Sequence, residues 1–232
     1  MAPAEEMTPA EEMAPAEETA LREEIVATAR AMSAKGLSPQ RSGNVSARAG
    51  GDAILITPSG LAYETMAPGD IVRVGLDGTR APGQMKPSSE TPFHLAIYRA
   101  RPEAKAIVHC HSPAATTLAC ARRAIPAFHY MVAAAGGSDI RCAPYATFGT
   151  DELADNTVKA LEGRRACLLA NHGQVAFGPD LGKALELAAE VETLSGEYLD
   201  LLKLGEVHVL DDEEMTRVLE RFKGYGVWMG TR

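Results

Sequence analysis

The sequence predicts one α/β domain with a mixed or mainly antiparallel sheet, and three of its features support this prediction. Short apolar segments typical of strands alternate irregularly with longer segments whose apolar residues recur at helical spacing. A hairpin-type turn, Asp77-Gly78, lies early in the chain. The length of 232 residues suits one compact domain, and a hydrophobic fraction of 46% is enough for a large core.

Residues 1–20 are predicted to be a tail, separate from a single domain over 21–232. They repeat Pro-Ala-Glu-Glu from Pro3, Pro9 and Pro15 and contain almost no large apolar side chains. Such an acidic segment buries too little surface to offset the entropy of ordering it, so it is expected to be solvated or partly helical. The first helix of the domain is predicted to start at Leu21 and to be ended by Gly36.

Two strands and a helix are predicted next. The strands cover 52–57 and 70–76, and the second leads into the Asp77-Gly78 turn. In the helix that follows, Ser89 suits the N-cap, Pro92 the first turn and Pro102 the end. Its apolar face consists of Phe93, Ala96, Ile97 and Ala100.

Two further apolar strands run directly into histidines. One, over 106–111, ends in His109-Cys110-His111, and the other, over 166–170, leads into Asn171-His172-Gly173. A long amphipathic helix is then predicted over about 181–204, with Gly205 placed as its C-terminal cap. Neither a G-x-G-x-x-G nor a P-loop motif occurs, so the sequence supports neither a dinucleotide site nor a P-loop.

Composition and charge exclude several classes of function. The net charge is -8 and the Lys and Arg residues are scattered, which argues against nucleic-acid binding. There is no apolar run of about 18 residues, and the acidic start does not resemble a signal peptide, so no membrane span is expected and the expected compartment is the cytoplasm. Four cysteines without a C-x-x-C pair are interpreted as reduced, mostly buried thiols: Cys110, Cys120, Cys142 and Cys167.

Three histidines at strand ends suggest a metal site. His109 and His111 are two residues apart on a strand, so their side chains project from the same face. Two ordinary core or surface histidines are the alternative interpretation of this pair alone. His172 also follows a strand directly, and Gly173 lets the chain turn sharply there. Three imidazoles that converge at one sheet edge favour zinc, which prefers nitrogen ligands, although another divalent metal is compatible with the set.

Glu90, Ser88 and Ser89 lie at the start of the helix that contains Phe93. A carboxylate there can cap the helix, or it can bind a metal and act as an acid or base when substrate displaces it. The backbone N–H groups of a helix start also suit an anion. Two tight turns offer similar groups, although each alone is an ordinary turn: Ser42-Gly43-Asn44 and Pro58-Ser59-Gly60. Together they can enclose a phosphate without any Lys or Arg.

At these residues the chain resembles the class II aldolase/adducin family, over about residues 21–228. The motifs occur in the family's order: S-G-N-V-S-A-R (42–48), I-T-P-S-G (56–60), K-P-S-S-E-T-P-F-H (86–94), H-C-H (109–111), I-P-A-F-H-Y-M-V-A-A-A-G-G (125–137), A-P-Y-A-T-F-G-T (143–150) and N-H-G (171–173). The resemblance implies a three-layer α/β/α domain with a central, mostly antiparallel sheet. It also implies a homotetramer with active sites between subunits.

The resemblance also implies roles for individual residues. His109, His111 and His172 bind one zinc ion per subunit, and Glu90 is the resting fourth ligand and the proton carrier. The phosphate of a small sugar phosphate is held by Asn44, Ser59, Gly60, Ser88 and Ser89, with Gly43 beside them. Tyr130 reaches the site from the neighbouring subunit and exchanges the proton of the departing hydroxyl; by itself it would be interpreted as a core or interface aromatic residue.

The function implied by the resemblance is zinc-dependent cleavage of a ketose 1-phosphate to dihydroxyacetone phosphate and an aldehyde. Candidate substrates are L-fuculose 1-phosphate and a 5-deoxypentulose or 5-methylthioribulose 1-phosphate. The aldehyde pocket is expected to include Phe148 and, near the C-terminus, Tyr225. Two alternatives stay open: a pentulose-phosphate epimerase or methylthioribulose-phosphate dehydratase of the same superfamily, and a non-enzymatic adducin-like interaction module. Glu90 and the H-Y-M-V-A-A-A-G-G stretch favour the aldolase over the epimerase, and Glu90 with the three histidines favours it over the interaction module.

Overall fold

The computed structural model describes residues 12–50 and 52–223, and it has a seven-stranded sheet at its centre. The strands are β1 (Asn44–Ala49), β2 (Ala53–Ile56), β3 (Val72–Gly75), β4 (Ala106–Cys110), β5 (Cys142–Ala143), β6 (Ala166–Leu169) and β7 (Gly173–Gly178). Their spatial order is β3-β2-β1-β4-β7-β6-β5. Neighbouring strands are antiparallel except for β5 and β6, so the sheet is mostly antiparallel, as predicted.

Helices cover both faces of this sheet. They are α1 (Pro15–Ala34), α2 (Thr91–Ala100), α3 (Pro113–Cys120), α4 (Asp151–Ala160), α5 (Leu181–Leu204) and α6 (Asp212–Phe222). Apolar residues of α1, α3 and α5 share one core with the side chains on one sheet face. Residues of α2 and α4 share a second core with the other face. The predicted three-layer α/β/α architecture is confirmed.

Strand alternation decides which side chains face α2. On β4, Val108 and Cys110 belong to the core beneath α1, α3 and α5, whereas Ile107 belongs to the core beneath α2 and α4. His109, two residues from Ile107, therefore projects to the α2 face. Asn44 pairs directly with His109 across the β1–β4 ladder, which brings the start of β1 beside the end of β4.

Several elements match their predicted positions. The long helix covers Leu181–Leu204, and Gly205 caps it in a left-handed conformation with φ of 84°. The predicted strands are observed, and the structure shortens them by a residue or more at their ends. The first helix already begins at Pro15, so the third Pro-Ala-Glu-Glu repeat forms its first turn. Pro suits that position because the first N–H groups of a helix have no partner within the helix.

Two local assignments were wrong. Glu90, not Ser89, occupies the N-cap position of α2. The Asp77-Gly78 turn follows β3 but joins no pair of strands, because β3 pairs only with β2 in the described sheet. Asp77 instead closes a local loop by accepting a hydrogen bond from the Thr79 N–H at 2.9 Å.

Strands β1, β5 and β7 and helices α3, α4 and α6 were not predicted. β1 alternates the polar residues Asn44, Ser46 and Arg48 with apolar residues, which is itself a strand pattern, but the interpretation of Ser42-Gly43-Asn44 as a tight turn left this strand unassigned. All four cysteines are free thiols, two of them buried. Among the described residues, no helix combines the length and apolar character that a membrane span requires.

Candidate metal centre and active site

Four side chains converge where β4 and β6 end and α2 begins. They are Glu90, His109, His111 and His172, here called the metal centre, and one ligand atom from each lies within 4.8 Å of all the others. The two carboxylate oxygens of Glu90 lie 2.8 Å from Nε2 of His109 and 2.8 Å from Nε2 of His172. Nε2 of His111 is 3.1 Å from Nε2 of His109.

The tautomer of His109 is set by the neighbouring strand. Its Nδ1 lies 2.8 Å from the backbone oxygen of Gln174 on β7. A carbonyl oxygen can only accept, so Nδ1 donates, and in the neutral ring that a metal requires the lone pair lies on Nε2 and points into the cluster. This arrangement, in which the second ring nitrogen of a histidine donates to a backbone carbonyl, is the usual support of a metal ligand.

The turn that positions His172 differs from the prediction. Asn171, not Gly173, adopts the left-handed conformation, with φ of 55°. Gly173 is required for a different reason, because a Cβ there would lie 2.5 Å from the backbone oxygen of Cys110 and 2.8 Å from Cδ2 of His111. Glycine thus lets β7 approach β4 closely enough for His111 and His172 to meet.

Electrostatics favour an ionised Glu90 and a neutral His111, the protonation states of these two groups that a cation requires. Burial alone raises the pKa of Glu90, but the charges and hydrogen bonds of His109 and His172 outweigh burial and hold that pKa well below its usual range. Burial, followed by the nearby His109 and His172 rings, lowers the pKa of His111 to about 3. Glu90 is therefore ionised and His111 neutral at pH 7, as metal ligation demands.

The donor set fits a divalent metal. Three imidazole nitrogens and one carboxylate match the ligands that zinc takes in catalytic sites. The helix-capping alternative for Glu90 is not what the structure shows, because its side chain makes no cap hydrogen bond and contacts histidines instead. The absence of a Cβ at Gly173 lets the ligand side chains come together, and the hydrogen bond to Gln174 O directs Nε2 of His109 toward them.

A cavity of about 370 Å³ opens above the metal centre. All the predicted phosphate-binding residues line it: Gly43, Asn44, Ser59, Gly60, Ser88 and Ser89. Two of their turns are held side by side, because the Ser59 N–H donates to Lys86 O at 2.9 Å and the Ser88 N–H donates to Thr57 O at 3.1 Å. These two N–H groups are therefore not open to an anion, contrary to the prediction of outward-pointing backbone groups there.

The first turn, Ser42-Gly43-Asn44, is fixed by a tyrosine that the sequence did not single out. The hydroxyl of Tyr63 donates to Gly43 O at 2.5 Å and accepts from the Gly43 N–H at 3.1 Å. Gly43 itself passes against β4, since a Cβ there would lie 2.5 Å from His109 O. Asn44 follows and donates from Nδ2 to Glu90 Oε2 at 2.9 Å.

Of the other predicted site residues that the structure describes, only Phe148 is seen to line this cavity. Phe148 lines the cavity together with Tyr145 and is 63% exposed. Tyr130 begins a 3-10 helix, Tyr130–Ala135, is 49% exposed, and is not among the residues that line this cavity. Tyr225 lies outside the described residues. Within one chain, the candidate metal ligands and the predicted phosphate-binding residues therefore lie together, whereas Tyr130 is not among the residues that line their cavity.

Sequence reasoning missed the residues behind the site. His94, Tyr63 and Gln174 contact Asn44, Gly43 and His109 respectively. The sequence could have indicated that His94 lies near the site, because it follows Glu90 by four residues and so lies on the same helix face. Tyr63 and Gln174 had none, since each meets its partner through a contact between segments distant in sequence.

An α/β/α fold with a carboxylate and three histidines at one sheet edge defines a metal-site protein. The chain matches the family model described as Class II Aldolase and Adducin N-terminal domain over residues 23–199. It is 50% identical over 202 residues to the 5-methylthioribulose-1-phosphate/5-deoxyribulose-1-phosphate aldolase of Rhodospirillum rubrum, covering 87% of this chain and 90% of that protein. It is 47% identical over 205 residues to the L-fuculose phosphate aldolase of Escherichia coli, covering 88% and 94%.

A solved structure supports the same family. The L-fuculose 1-phosphate aldolase structure has a TM-score of 0.85 and 41% sequence identity with this chain, and the match covers 88% of this chain and 96% of that one. The chain belongs to the class II aldolase and adducin N-terminal domain family. This confirms the family that the sequence motifs indicate.

Proposed function

We propose that this protein is a zinc-dependent aldolase that cleaves a ketose 1-phosphate to dihydroxyacetone phosphate and an aldehyde. The observation that carries the proposal is the buried metal centre at the floor of a cavity lined by serine-rich turns. An interaction module has no need for three converging imidazoles and a buried carboxylate, which are costly to bury unless they bind something. The relatives at 50% and 47% identity are named as aldolases of such substrates.

The metal centre supplies the first part of the chemistry. His109, His111 and His172 are the proposed permanent ligands and Glu90 the fourth ligand in the resting state. The chemistry that a bound zinc ion supplies is Lewis-acid stabilisation of negative charge on the substrate oxygens. The strands hold the three imidazoles in place, so little reorganisation is needed when the substrate binds.

The turns around the cavity are the proposed phosphate site. Asn44, Ser59, Gly60, Ser88 and Ser89 line the cavity, together with Gly43. Among the described residues, the cavity wall includes no Lys or Arg. Hydroxyls and amides therefore orient the phosphate, which suits a protein with a net charge of -8.

Two residues are proposed to move protons. As the bond between C3 and C4 of the substrate breaks, the C4 hydroxyl becomes the carbonyl of the departing aldehyde and its proton must leave. Tyr130 of a neighbouring subunit is the proposed acceptor, which requires that subunits share the site. Glu90 is the proposed donor of the proton that C3 gains, which completes dihydroxyacetone phosphate.

The proposed assembly is a homotetramer, and the proposed compartment is the cytoplasm. The exposure of Tyr130 within one chain supports a shared site, because a catalytic tyrosine must reach the substrate. Four free thiols are typical of a reducing compartment. The proposed aldehyde pocket includes Phe148 and Tyr225.

The test is release of dihydroxyacetone phosphate from a panel of ketose 1-phosphates. The panel contains the L-fuculose, L-rhamnulose, 5-deoxyribulose and 5-methylthioribulose 1-phosphates, each with and without a chelator. Release that is abolished by chelation and restored by zinc is the expected result, and the ratio of rates identifies the substrate.

Two outcomes would contradict the proposal. A metal-loaded protein that releases no dihydroxyacetone phosphate, but changes the substrate, would be an epimerase or dehydratase of the same superfamily. A protein that neither binds metal nor reacts would be an interaction module.

A further inference from the structure

A continuous chain of buried polar side chains runs from Glu90 into the core beneath α2. Nδ2 of Asn44 lies 2.9 Å from Glu90 Oε2, and Oδ1 of the same amide lies 2.5 Å from Nε2 of His94. On its other side, Nδ1 of His94 lies 2.7 Å from Ser46 Oγ, which is 2.9 Å from the Tyr98 hydroxyl. All five residues are buried, and His94 is 0% exposed.

The direction of each hydrogen bond follows from the groups involved. A carboxylate only accepts, so the Asn44 amide presents its NH₂ to Glu90 and its oxygen to His94. That oxygen only accepts, so Nε2 of His94 carries a hydrogen. Burial, followed by the charge of His109, lowers the pKa of His94 to about 3, so the ring is neutral and Nδ1 accepts from Ser46. Ser46 in turn accepts from Tyr98.

This chain allows only one orientation of the Asn44 amide. If the amide turned over, its oxygen would face the carboxylate of Glu90 and its NH₂ would face the hydrogen on His94, so both contacts would become repulsive. The far end is anchored as well, because the Arg48 guanidinium donates to the backbone oxygen of Tyr98 and lies 5.0 Å above its ring. The core histidine is thus connected rigidly to the carboxylate of the metal centre.

We propose that His94 is a positioning residue for Glu90, acting through Asn44. His94 holds the amide of Asn44 in the orientation that donates to Glu90, and so keeps the carboxylate aimed at the histidines. The catalytic consequence, though not the orientation itself, rests on the proposed function of Glu90. Asn44 also lines the cavity, so the residue proposed to meet the phosphate is the one that holds the proton carrier.

A purely structural role for His94 makes different predictions. Its ring stacks on Phe93 with centroids 4.7 Å apart, so it fills the core whether or not its nitrogens matter. A space-filling residue is replaced adequately by any side chain of similar volume. A positioning residue is replaced only by one that keeps a donor at the place of Nε2.

The experiment compares His94→Met, His94→Gln, Asn44→Ala and the double variant His94→Met/Asn44→Ala in the full chain. Zinc affinity, by competition with a chromophoric chelator, and kcat are measured for each. His94→Met is expected to weaken zinc binding and to lower kcat by about 10–100-fold, the usual effect of removing a support of a metal ligand. His94→Gln is expected to restore most of both, because its amide can donate to Asn44.

The double variant tests whether the effect passes through Asn44. Once Asn44 is alanine, His94→Met is expected to cause no further loss, because the shared path is already broken. Thr157→Val is the control, since it removes a buried hydroxyl on α4 of the same core without touching this chain, and it is expected to keep wild-type values. Losses that multiply in the double variant, or a folded His94→Gln that restores neither quantity, would overturn the proposal.

A measurement that needs neither metal nor reaction completes the test. Nitrogen NMR of the metal-free, histidine-labelled protein is expected to show His94 neutral with its hydrogen on Nε2, and Asn44→Ala is expected to relax that preference. A hydrogen on Nδ1 in the wild-type protein would overturn the proposal even if the substitutions at His94 prevent folding. Absence of cleavage by the wild-type protein would instead overturn the proposed function, and the tautomer would still decide the role of His94.

Discussion

The metal centre and the aromatic surface are built in opposite ways. Glu90, His109, His111 and His172 are at least partly buried, arise from strand ends and one helix start, and hold one another at hydrogen-bonding distance. Three aromatic side chains, here called the aromatic surface, are each about half exposed or more: Tyr145 and Phe148 line the cavity, and Tyr130 is not part of its lining. All four side chains of the metal centre come from one chain. The side chains proposed to meet the aldehyde end of the substrate are instead exposed to solvent in that chain.

This difference indicates what each region requires. A metal ligand must be held within a few tenths of an ångström, and a sheet edge achieves this because its strands are fixed by hydrogen bonds on both sides. A surface that receives a variable aldehyde needs less rigidity, and a second subunit can complete it. Substitutions in each region test this difference.

The largest effect is expected from the metal centre. His111→Ala removes one of the three proposed imidazole ligands, so the protein is expected to lose its metal and about 10,000-fold of its cleavage rate, since a metal ion contributes several kcal/mol to transition-state stabilisation. Metal content by mass spectrometry and dihydroxyacetone phosphate release measure this. The control is His208→Ala, an exposed histidine away from the centre that pairs with Glu206. Normal metal content in His111→Ala would refute the assigned ligand set.

A smaller effect is expected from the aromatic surface. Tyr130→Phe keeps the ring and removes the hydroxyl, so kcat is expected to fall by about 100-fold, the lower range for loss of a general acid or base. Zinc content is expected to stay normal, because Tyr130 is not one of the four side chains that form the metal centre.

Mixing inactive variants distinguishes a shared site from a separate one. Subunits with Tyr130→Phe and subunits with Glu90→Gln are each expected to be nearly inactive alone. If Tyr130 serves the neighbouring subunit, refolding the two together regenerates sites in which both residues are intact. Mixed subunits that stay inactive would show that the aromatic surface and the metal centre do not meet across an interface.

Gly173→Ala is expected to disturb the metal centre through packing alone. The new methyl group would lie 2.5 Å from Cys110 O, so β4 and β7 must separate, at a cost of about 1–3 kcal/mol in the free energy of unfolding. The shift of His111 and His172 is expected to lower cleavage by about 10-fold. Chemical denaturation and kinetics measure both. Gly69→Ala is the control, because no described atom lies within 4 Å of the place that its new methyl group would take; equal behaviour of the two variants would contradict the prediction.

The smallest effect is expected at Phe148. Phe148→Ala is expected to change the free energy of unfolding by less than about 1 kcal/mol, because the side chain is 63% exposed. It is expected to shift the ratio of kcat/KM between 5-methylthioribulose and L-fuculose 1-phosphates by up to about 10-fold, as small changes in an apolar pocket do. Met85→Ala, an exposed residue that does not line the cavity, is the control. An unchanged ratio would exclude Phe148 from the aldehyde pocket.

Prediction from the sequence succeeded for features that depend on residues close together in the chain. The H-x-H spacing on an apolar strand places His109 and His111 on one face because side chains of a strand alternate, and the structure shows both in the cluster. The long helix ends at its glycine because Gly205 adopts a left-handed conformation without strain. Strand β1 was missed although its alternating polar and apolar residues are a strand pattern, because the segment where it begins, Ser42-Gly43-Asn44, was interpreted only as a tight turn.

Local signals also misled at two turns. The sequence predicts that Gly173 lets the chain turn, yet Asn171 has the left-handed conformation and Gly173 is needed for close approach to β4. The N–H groups of Ser59 and Ser88 are expected to point outward, yet they join their two turns to each other. In both cases the deciding partner lies far away in the sequence.

The sequence alone determined the α/β class, the histidine and carboxylate set, and the family, because those depend on residue type, short spacings and the order of motifs. Only the tertiary structure decided that Asn44 lies between Glu90 and His94, that Gln174 sets the tautomer of His109, and that Tyr63 fixes Gly43. These contacts join residues that are 20 to 65 positions apart along the chain. Their geometry follows from strand pairing and helix packing, which no local pattern specifies.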